Sequence, residues 1–404
     1  MTIDKLMEMC GCTVWPERWR EIYDRAMHKY ETEGCLYSTP GYYDGVEAKY
    51  HVLGEYLDVF KRAAVSISEN KNLEMLLALI SNAMTDHDVI YNDIENFKPP
   101  VAPEGEDPFA YNMLIGLASF SMIDYTYNKF YSRGIPAEIT EKLLGYYVNG
   151  YRAYRSLHNG EDGYCNYLWQ QKIASGKLLP LKRFNIELGA EMTAQAKIFV
   201  NSKGDAVSLA HDIVLHKSGF PLGSKYFEDE EGSYSAFVEE TDDKFIGYPF
   251  LENGYVSTEK IELDKNEWTK KLEYGDKVIS IHIPGKQKFT PDIVDESLNY
   301  AVEFIKEYFP EEMCDTFHCY SWMCDPQLFT LLPESSNLVS FCKRFKPHAA
   351  KSEGRDILQF VFHTVEQNPD YDKLPEDTSF LKILKNHFKS GKAVYEMTGY
   401  FFIK

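Results

Sequence analysis

The stretch that decides the fold of the second half of the chain is residues 278–298, which read VISIHIPGKQKFTPDIVDESL. Its first part alternates apolar and polar side chains, which is typical of a strand with two different faces. This strand ends at Pro284-Gly285. Thr290 is a favourable N-cap and Pro291 a favourable first helical residue. The stretch therefore predicts a strand, a short loop and a capped helix.

The loop between this strand and helix is suited to bind phosphate. The N-terminus of a helix presents unpaired N–H groups and the positive end of the helix dipole. Lys286 and Lys288 add mobile positive charge beside it. A cofactor that carries a pyrophosphate needs this local arrangement. The alternative is an ordinary strand-to-helix turn without a ligand, because many such turns bind nothing.

Strand-like patterns also precede this stretch. Residues 179–188 (LPLKRFNIEL) alternate so that one face is apolar. Turn sequences at 201–204 (NSKG) and 252–254 (ENG) each predict a hairpin. After the capped helix we predict a strand at 316–322, a mostly helical stretch at 327–345, a strand at 357–363, a helix at 380–388 and a strand at 394–403. This order indicates an α+β domain with a central, mostly antiparallel sheet rather than a Rossmann alternation.

The first part of the chain reads as one helix after another. Trp19, Tyr23, Met27 and Tyr30 recur at helical spacing, and the apolar run at 73–80 is a candidate for a buried helix. The period changes from helical to strand-like near Ser175. We therefore predict two domains, an all-helical one at 1–172 and a mixed α/β one at 173–404.

Composition restricts the possible partners. The 404 residues carry a formal net charge of −19, which disfavours nucleic acid and anionic lipid. No apolar run reaches the ~20 residues that a membrane span needs. The N-terminal residues lack the apolar core of a signal peptide, so a cytoplasmic location is expected and the eight cysteines are expected to be reduced thiols. The spacing of Cys314, His318, Cys319 and Cys324 does not suit a zinc site, and we expect no metal.

Several segments resemble a bacterial family of two-domain proteins described as acyltransferase domain-containing. Members pair an N-acyltransferase N-terminal helical domain with a GNAT-like C-terminal domain. The most specific segment of the resemblance is 319–328 (CYSWMCDPQL), followed by 331–337 (LLPESSN). The resemblance spans about residues 130–345, and its other segments are 133–136, 181–188, 275–276, 281–284, Ser297, Ala301, Phe341 and Phe345.

The resemblance implies a scaffold for acyl-CoA as co-substrate. In the GNAT fold the pantetheine arm lies between two splayed central strands, and the pyrophosphate lies on the following loop and helix N-terminus. Asn337 is expected either to cap its own helix or to hold the splayed strand or the cofactor. The residues that would meet the cofactor are Ser280, Ile281, Ile283, Gly285, Lys286, Gln287, Lys288, Thr290 and Asn337.

This chain departs from the GNAT pattern at two points. The common loop pattern Gln/Arg-x-x-Gly-x-Gly/Ala is replaced by 285–290 (GKQKFT), in which one glycine allows close backbone approach. The usual tyrosine acid on the helix after the next strand is also absent, and Phe341 and Cys342 lie in that region.

Three residues are candidates for acid–base chemistry. His282 lies on the opposite strand face from Ile281 and is the first choice for a general base, with a structural histidine that orients the loop as the alternative. Glu187 is a second candidate base or else a solvated or capping carboxylate. Tyr320 is a candidate acid or else packs its ring in the core.

Two functions are consistent with these residues. The first is an acyl-CoA-dependent N-acyltransferase that moves an acyl group from the CoA thioester to an amine on a small-molecule acceptor. The alternative is a catalytically inactive GNAT-like module for acyl-CoA binding or interaction. The acidic composition favours a cationic acceptor.

Overall fold

The chain folds into two compact units, Met1–Pro180 and Leu181–Lys404. The computed structural model describes residues 1–86, 89–90, 93–285, 287–364 and 366–403, and the side chains of 86, 89, 90, 93 and 95 are not among those described. The predicted order, a helical N-terminal region followed by a mixed α/β region with a mostly antiparallel sheet, is confirmed.

The first unit is built almost entirely of helices. Its centre is the helix at Lys71–Met84, in which nearly every residue after the first turn is buried. One cluster of buried apolar side chains runs from Ile3 to Ala174. Many of its large side chains are aromatic, and they pack at the tilted and edge-on angles that ring quadrupoles favour. Many tyrosines of this unit therefore belong to its core.

The elements of the first unit have the following bounds: α1 Ile3–Cys10, α2 Trp19–Glu33, α3 Pro40–Tyr50, α4 Leu57–Ser68, α5 Lys71–Met84, β1 Thr85–Asp86, β2 Val89–Ile90, α6 Phe109–Ser119, α7 Ile123–Ser132, α8 Ala137–Leu144, α9 Asn149–Leu157 and α10 Tyr167–Ala174. The boundary between the units falls within the next strand, β3 Leu178–Leu181.

The second unit continues with β4 Phe184–Glu191, β5 Ala196–Asn201, β6 Ala206–Ala210, β7 Ile213–Leu215, β8 Tyr234–Ala236, β9 Glu239–Glu240, β10 Lys244–Gly247, β11 Ile261–Asp264, β12 Trp268–Glu273, β13 Lys277–His282, α11 Pro291–Tyr308, β14 Thr316–Ser321, α12 Leu328–Leu331, α13 Asn337–Cys342, β15 Lys346–Ala349, α14 Asp356–Phe362, α15 Ser379–Lys389 and β16 Met397–Phe402. The hairpin predicted at 201–204 is confirmed, because β5 and β6 pair antiparallel across it.

The central sheet of this unit places its strands in the order β15, β16, β14, β13, β4. The β13–β14 pair is parallel, whereas β13–β4, β14–β16 and β15–β16 are antiparallel. The parallel pair is connected through α11, the helix that Thr290 and Pro291 predicted. A parallel crossover in an otherwise antiparallel sheet is the feature that positions the candidate site.

One face of this sheet is apolar. Ile281 lies opposite Ile186, and Phe317 lies opposite both Ile279 and Phe401. Phe345 packs edge-on against the Phe401 ring, with 5.1 Å between ring centroids. Gly399 in β16 allows this approach, because a Cβ added there would lie 2.8 Å from the Phe345 Cβ and 2.9 Å from the Cys324 Sγ.

The opposite face is polar. Glu187 lies opposite Ser280, and Ser280 lies opposite His318. Because successive strand residues alternate between faces, His282 and Tyr320 lie on this same face. The alternation read from the sequence thus separates a packed face from a face that carries the candidate catalytic residues.

The strand predicted at 357–363 is wrong, because Asp356–Phe362 is the helix α14. Ile357, Leu358 and Phe362 are buried in a cluster with Leu384 and Phe388 of α15. A short run of β-branched and aromatic residues does not distinguish a strand from a buried helix by its period. A distant residue also stabilises the helix: the Asp356 N–H donates to the carboxylate of Glu396 at 2.8 Å.

Candidate functional site

The centre of the polar face is a histidine–carboxylate pair. His282 Nε2 lies 2.7 Å from Glu187 Oε2, and the two side chains are 28% and 11% exposed. The β4–β13 register places these residues as diagonal neighbours, since Ser280 lies opposite Glu187 and His282 opposite Asn185. A carboxylate beside imidazole stabilises the imidazolium that forms when the ring accepts a proton. The arrangement places a partly exposed imidazole beside a carboxylate, which is the geometry that general-base chemistry requires.

A second histidine next to this pair is bonded differently. His318 is buried, and its ring connects Ser280 Oγ at 3.1 Å to Thr193 Oγ1 at 2.9 Å. Thr193 continues the chain of hydrogen bonds to Thr398 at 2.8 Å. Burial lowers the pKa of His318 to about 4, with a smaller contribution from His282. His318 is therefore a neutral residue that holds three strands in register.

The pairing between the two parallel strands ends beside the histidine–carboxylate pair, and we call the unpaired stretch beyond it the gap. The described pairs of β13 and β14 are Ile279 with Phe317 and Ser280 with His318, whereas β13 continues to His282 and β14 to Ser321. His282 and Tyr320 each lie two residues beyond the last pair, so the register places them on opposite sides of this gap and on one face. Backbone groups and two titratable side chains thus border the gap.

Tyr320 lies near a different set of charges from His282. Its ring is 43% exposed, and burial of the hydroxyl, with smaller contributions from the Glu396 and Asp356 carboxylates, raises its pKa to about 12. The structure accordingly joins Glu187 to His282 and gives Tyr320 the carboxylates of β16 and α14 as neighbours. A phenol with this pKa stays protonated at neutral pH and can donate a hydrogen bond.

The loop that follows β13 rests on a buried arginine that sequence reasoning missed. Arg183 is 6% exposed, and its Nε donates to the carbonyl oxygen of Lys288 at 3.0 Å. Its guanidinium lies 4.8 Å from the centre of the Phe289 ring. Within the described part of the chain, Arg183 Nη1 has no hydrogen-bond acceptor. Burial lowers the pKa of this guanidinium.

The remaining predicted contacts are spread along this loop and the next helices. Ser280 and Ile281 are buried in β13, whereas Ile283 is half-buried and Gly285, Gln287 and Lys288 are exposed. Lys286 lies outside the described residues. Thr290 occupies the N-cap position of α11 without a capping bond from its side chain. Asn337 is exposed and is the first residue of α13.

Other kinds of site find little support in the residues that the structure describes. These residues contain no group of three or more His, Cys, Asp or Glu side chains able to hold a metal ion. None of their helices is long and apolar enough to cross a membrane. All eight cysteines are free thiols.

One family model matches part of the second unit. Residues 219–401 match the model described as GNAT-like C-terminal domain. These residues contain the parallel pair, the loop and the helices α11 to α15. This part of the second unit is therefore similar to a GNAT-like C-terminal domain. No curated protein sequence gives a match.

Solved structures of acyltransferases share the fold of the entire chain. One, an acyltransferase in complex with decanoyl-CoA and teicoplanin, is 18% identical, with a TM-score of 0.62 and 100% of each chain covered. An acyltransferase in complex with CoA and 10C-teicoplanin and an acyltransferase mutant in complex with octanoyl-CoA have the same identity and coverage and TM-scores of 0.63. At this identity the similarity establishes the fold.

Proposed function

We propose that this protein is an acyl-CoA-dependent N-acyltransferase whose reaction takes place at the gap between β13 and β14. The observation that carries the proposal is the His282–Glu187 pair, a partly exposed base with its carboxylate 2.7 Å away at the point where the strands stop pairing. The GNAT-like match and the acyl-CoA complexes of the structural neighbours support the same reaction class.

Acyl-CoA would lie along the gap. Its pantetheine arm carries amide groups that can pair with the backbone of two diverging strands, near Ser280, Ile281 and Ile283. Its pyrophosphate would lie on the loop at 285–290, where the α11 N-terminus offers N–H groups and positive dipole. Arg183 supports this position, because its buried guanidinium has an unused N–H direction and would gain from a nearby anion.

The transfer needs a base and a stabilised leaving group. The acceptor nitrogen attacks the thioester carbon, a C–N bond forms and the C–S bond breaks. His282 takes the proton from the attacking amine, and Glu187 stabilises the resulting imidazolium. Thiols have a pKa near ~8.5. A Tyr320 phenol with a pKa of about 12 therefore stabilises the CoA thiolate by a hydrogen bond, and the proton that His282 took from the amine passes to the thiolate.

The acceptor in this proposal is an amine on a small molecule. Two of the structural neighbours were solved with teicoplanin or 10C-teicoplanin, which supports a small-molecule acceptor rather than nucleic acid. The net charge of −19 favours an acceptor that is itself cationic. A cytoplasmic location fits eight free cysteines and access to acyl-CoA.

The test combines binding and turnover on the full chain. A thermal shift series with CoA and acyl-CoAs of increasing length is expected to raise the melting temperature, because these ligands bind the folded state. A panel of amines is then assayed for release of free CoA thiol. Binding together with thiol release supports the transferase, binding without release supports the inactive acyl-CoA module, and no binding at millimolar concentration contradicts both.

A variant of Arg183 tests the proposed position of the pyrophosphate more directly. Arg183→Met is expected to weaken CoA about ten-fold, since it removes a charge-assisted contact, and to leave pantetheine, which lacks the pyrophosphate, unaffected. Lys182→Met is the matched control, because Lys182 is the adjacent cation and pairs with Glu296 at the surface. Equal weakening of CoA and pantetheine would assign Arg183 a purely structural role.

A further inference from the structure

The helical unit contains a cavity that is distant in sequence from the residues discussed above. Its volume is about 560 Å³, and its walls come from α2, the segment before α3, and α5. Glu74, Ala78 and Ser81 lie on one side of α5 at helical spacing and form one wall together with Thr85, which directly follows the helix. The cavity is separate in sequence from the proposed acyl-transfer site, and the inference does not rest on that proposal.

A carboxylate anchors the cavity. Glu74 accepts hydrogen bonds from the Tyr30 hydroxyl at 2.5 Å and from the Ser38 hydroxyl at 2.7 Å. Burial and then the Glu74 carboxylate raise the pKa of Tyr30 above its ordinary value, so Tyr30 remains a neutral donor. Each carboxylate oxygen has capacity for a further donor. Glu74 thus places a carboxylate, held by two hydroxyl groups, at the cavity wall.

The other wall groups mostly accept hydrogen bonds as well. The hydroxyl hydrogens of Tyr30 and Ser38 are directed to protein acceptors, and Thr85 donates its own to the Ser81 carbonyl at 3.1 Å. Their oxygen lone pairs remain as acceptors. Among the charged lining residues, Glu33 and Glu74 outnumber the exposed Lys29. The cavity is therefore suited to a ligand rich in donors and positively charged.

Ser81 provides an independent sign of a ligand. This residue is 1% exposed, lines the cavity, and its hydroxyl has no hydrogen-bond partner among the described residues. Serine inside a helix commonly bonds back to the carbonyl four residues earlier. A buried hydroxyl without a partner destabilises the fold. The hydroxyl oxygen is covered in this structure, so a donor-rich guest would satisfy it after the side chain turns toward the cavity.

We propose that this cavity binds a primary ammonium group on a flexible aliphatic chain. Three ammonium hydrogens match the Glu74 carboxylate and the neighbouring hydroxyl oxygens, and the Tyr30 and Tyr37 rings provide an aromatic wall of the kind that attracts cations. Such a group occurs in free diamines and in lysine side chains. The net charge of −19 draws either kind of cation to the chain.

The experiment is isothermal titration calorimetry on the full chain without CoA. Putrescine represents the free diamine, N-acetyl-lysine methylamide represents a protein lysine, and 1,4-butanediol is the uncharged analogue. Both ammonium probes are expected to bind at least about ten-fold more tightly than butanediol, because only they form charge-assisted bonds. The tighter of the two identifies the source of the ammonium group. No binding of either at millimolar concentration overturns the proposal.

Two variants locate the binding. Glu74→Gln is expected to weaken putrescine about ten-fold or more, whereas Glu55→Gln, an exposed carboxylate elsewhere in the helical unit, leaves it unchanged. Ser81→Ala is expected to keep or raise the melting temperature of the unliganded protein and to reduce the rise that putrescine causes. Equal putrescine affinity in wild type and Glu74→Gln would contradict this site. So would a lower unliganded melting temperature in Ser81→Ala.

Discussion

His282 and His318 lie on the same face of neighbouring strands, yet their surroundings are opposite. His282 is partly exposed and has a carboxylate 2.7 Å away. His318 is 2% exposed, and its ring nitrogens meet the hydroxyls of Ser280 and Thr193. Two identical side chains at adjacent positions of one sheet are thus prepared for different tasks.

The difference shows how a partner determines the role of an imidazole. A carboxylate stabilises the protonated ring, whereas hydroxyls satisfy the neutral ring without stabilising its charge. Burial adds to this at His318 and lowers its pKa to about 4. We therefore propose proton transfer as the role of His282 and sheet architecture as the role of His318, and the following variants test that division.

The largest effect is expected for His282→Gln. Loss of a general base lowers the rate by about 10²–10⁴-fold. The measurement is single-turnover acyl transfer with saturating acyl-CoA, and the CoA dissociation constant serves as the control because it should not change. If His318→Gln lowered the rate equally while the protein stayed folded, the division of roles would be wrong.

Acid is expected to destabilise the fold through His318. The folded pKa of about 4 lies below the ordinary value of 6.5, so the unfolded chain binds the proton more tightly. His318 therefore contributes its full stability above pH 6.5 and loses it as the pH falls towards 4, by about 3 kcal/mol in total. Urea unfolding at pH 7 and pH 5 measures this slope.

The variant His318→Gln tests whether His318 causes this pH dependence of the free energy of unfolding. An amide does not titrate in this range, so the variant should unfold with a flatter pH dependence even if it is less stable at pH 7. His348, which is buried and has its pKa lowered to about 3, remains as a second source of acid sensitivity. An unchanged slope in the variant would assign the effect to His348 alone.

A smaller effect is expected for Glu187→Gln. The amide keeps the size of the side chain but cannot stabilise an imidazolium by charge, so we expect kcat to fall about ten-fold. Glu191→Gln, an exposed carboxylate at the end of the same strand, is the matched control. Equal activity of Glu187→Gln and wild type would show that the carboxylate only fills space beside His282.

The strands and helices nearest the site could be predicted from the sequence, because their patterns depend only on neighbouring residues. The alternation of apolar and polar residues placed His282 on the other face of its strand from Ile281, and Thr290-Pro291 predicted the start of α11. The contact between His282 and Glu187 was not accessible, since it depends on the register of strands that are 95 residues apart. Arg183 gave no signal either, because it precedes its strand and acts on a loop 105 residues away.

The wrong strand at 357–363 has the same origin. Its apolar run is compatible with a strand or a buried helix, and the choice depends on α15 and on the Glu396 carboxylate, which receives the Asp356 N–H. Both partners follow in the sequence and come from other elements. Contacts with residues distant in sequence therefore decide between strand and helix here, a choice that the local apolar period does not make.

The gap between β13 and β14 is also an edge placed in the interior of a sheet. Ordinary sheet edges lie at the rim, where a neighbouring chain can add to one side only. Here β4 holds one bordering strand and β16 holds the other, so neither can move across to close the opening. In the proposed reaction, an extended guest with amide groups would match the unpaired backbone groups on both flanks, and a flat ring would leave them without partners.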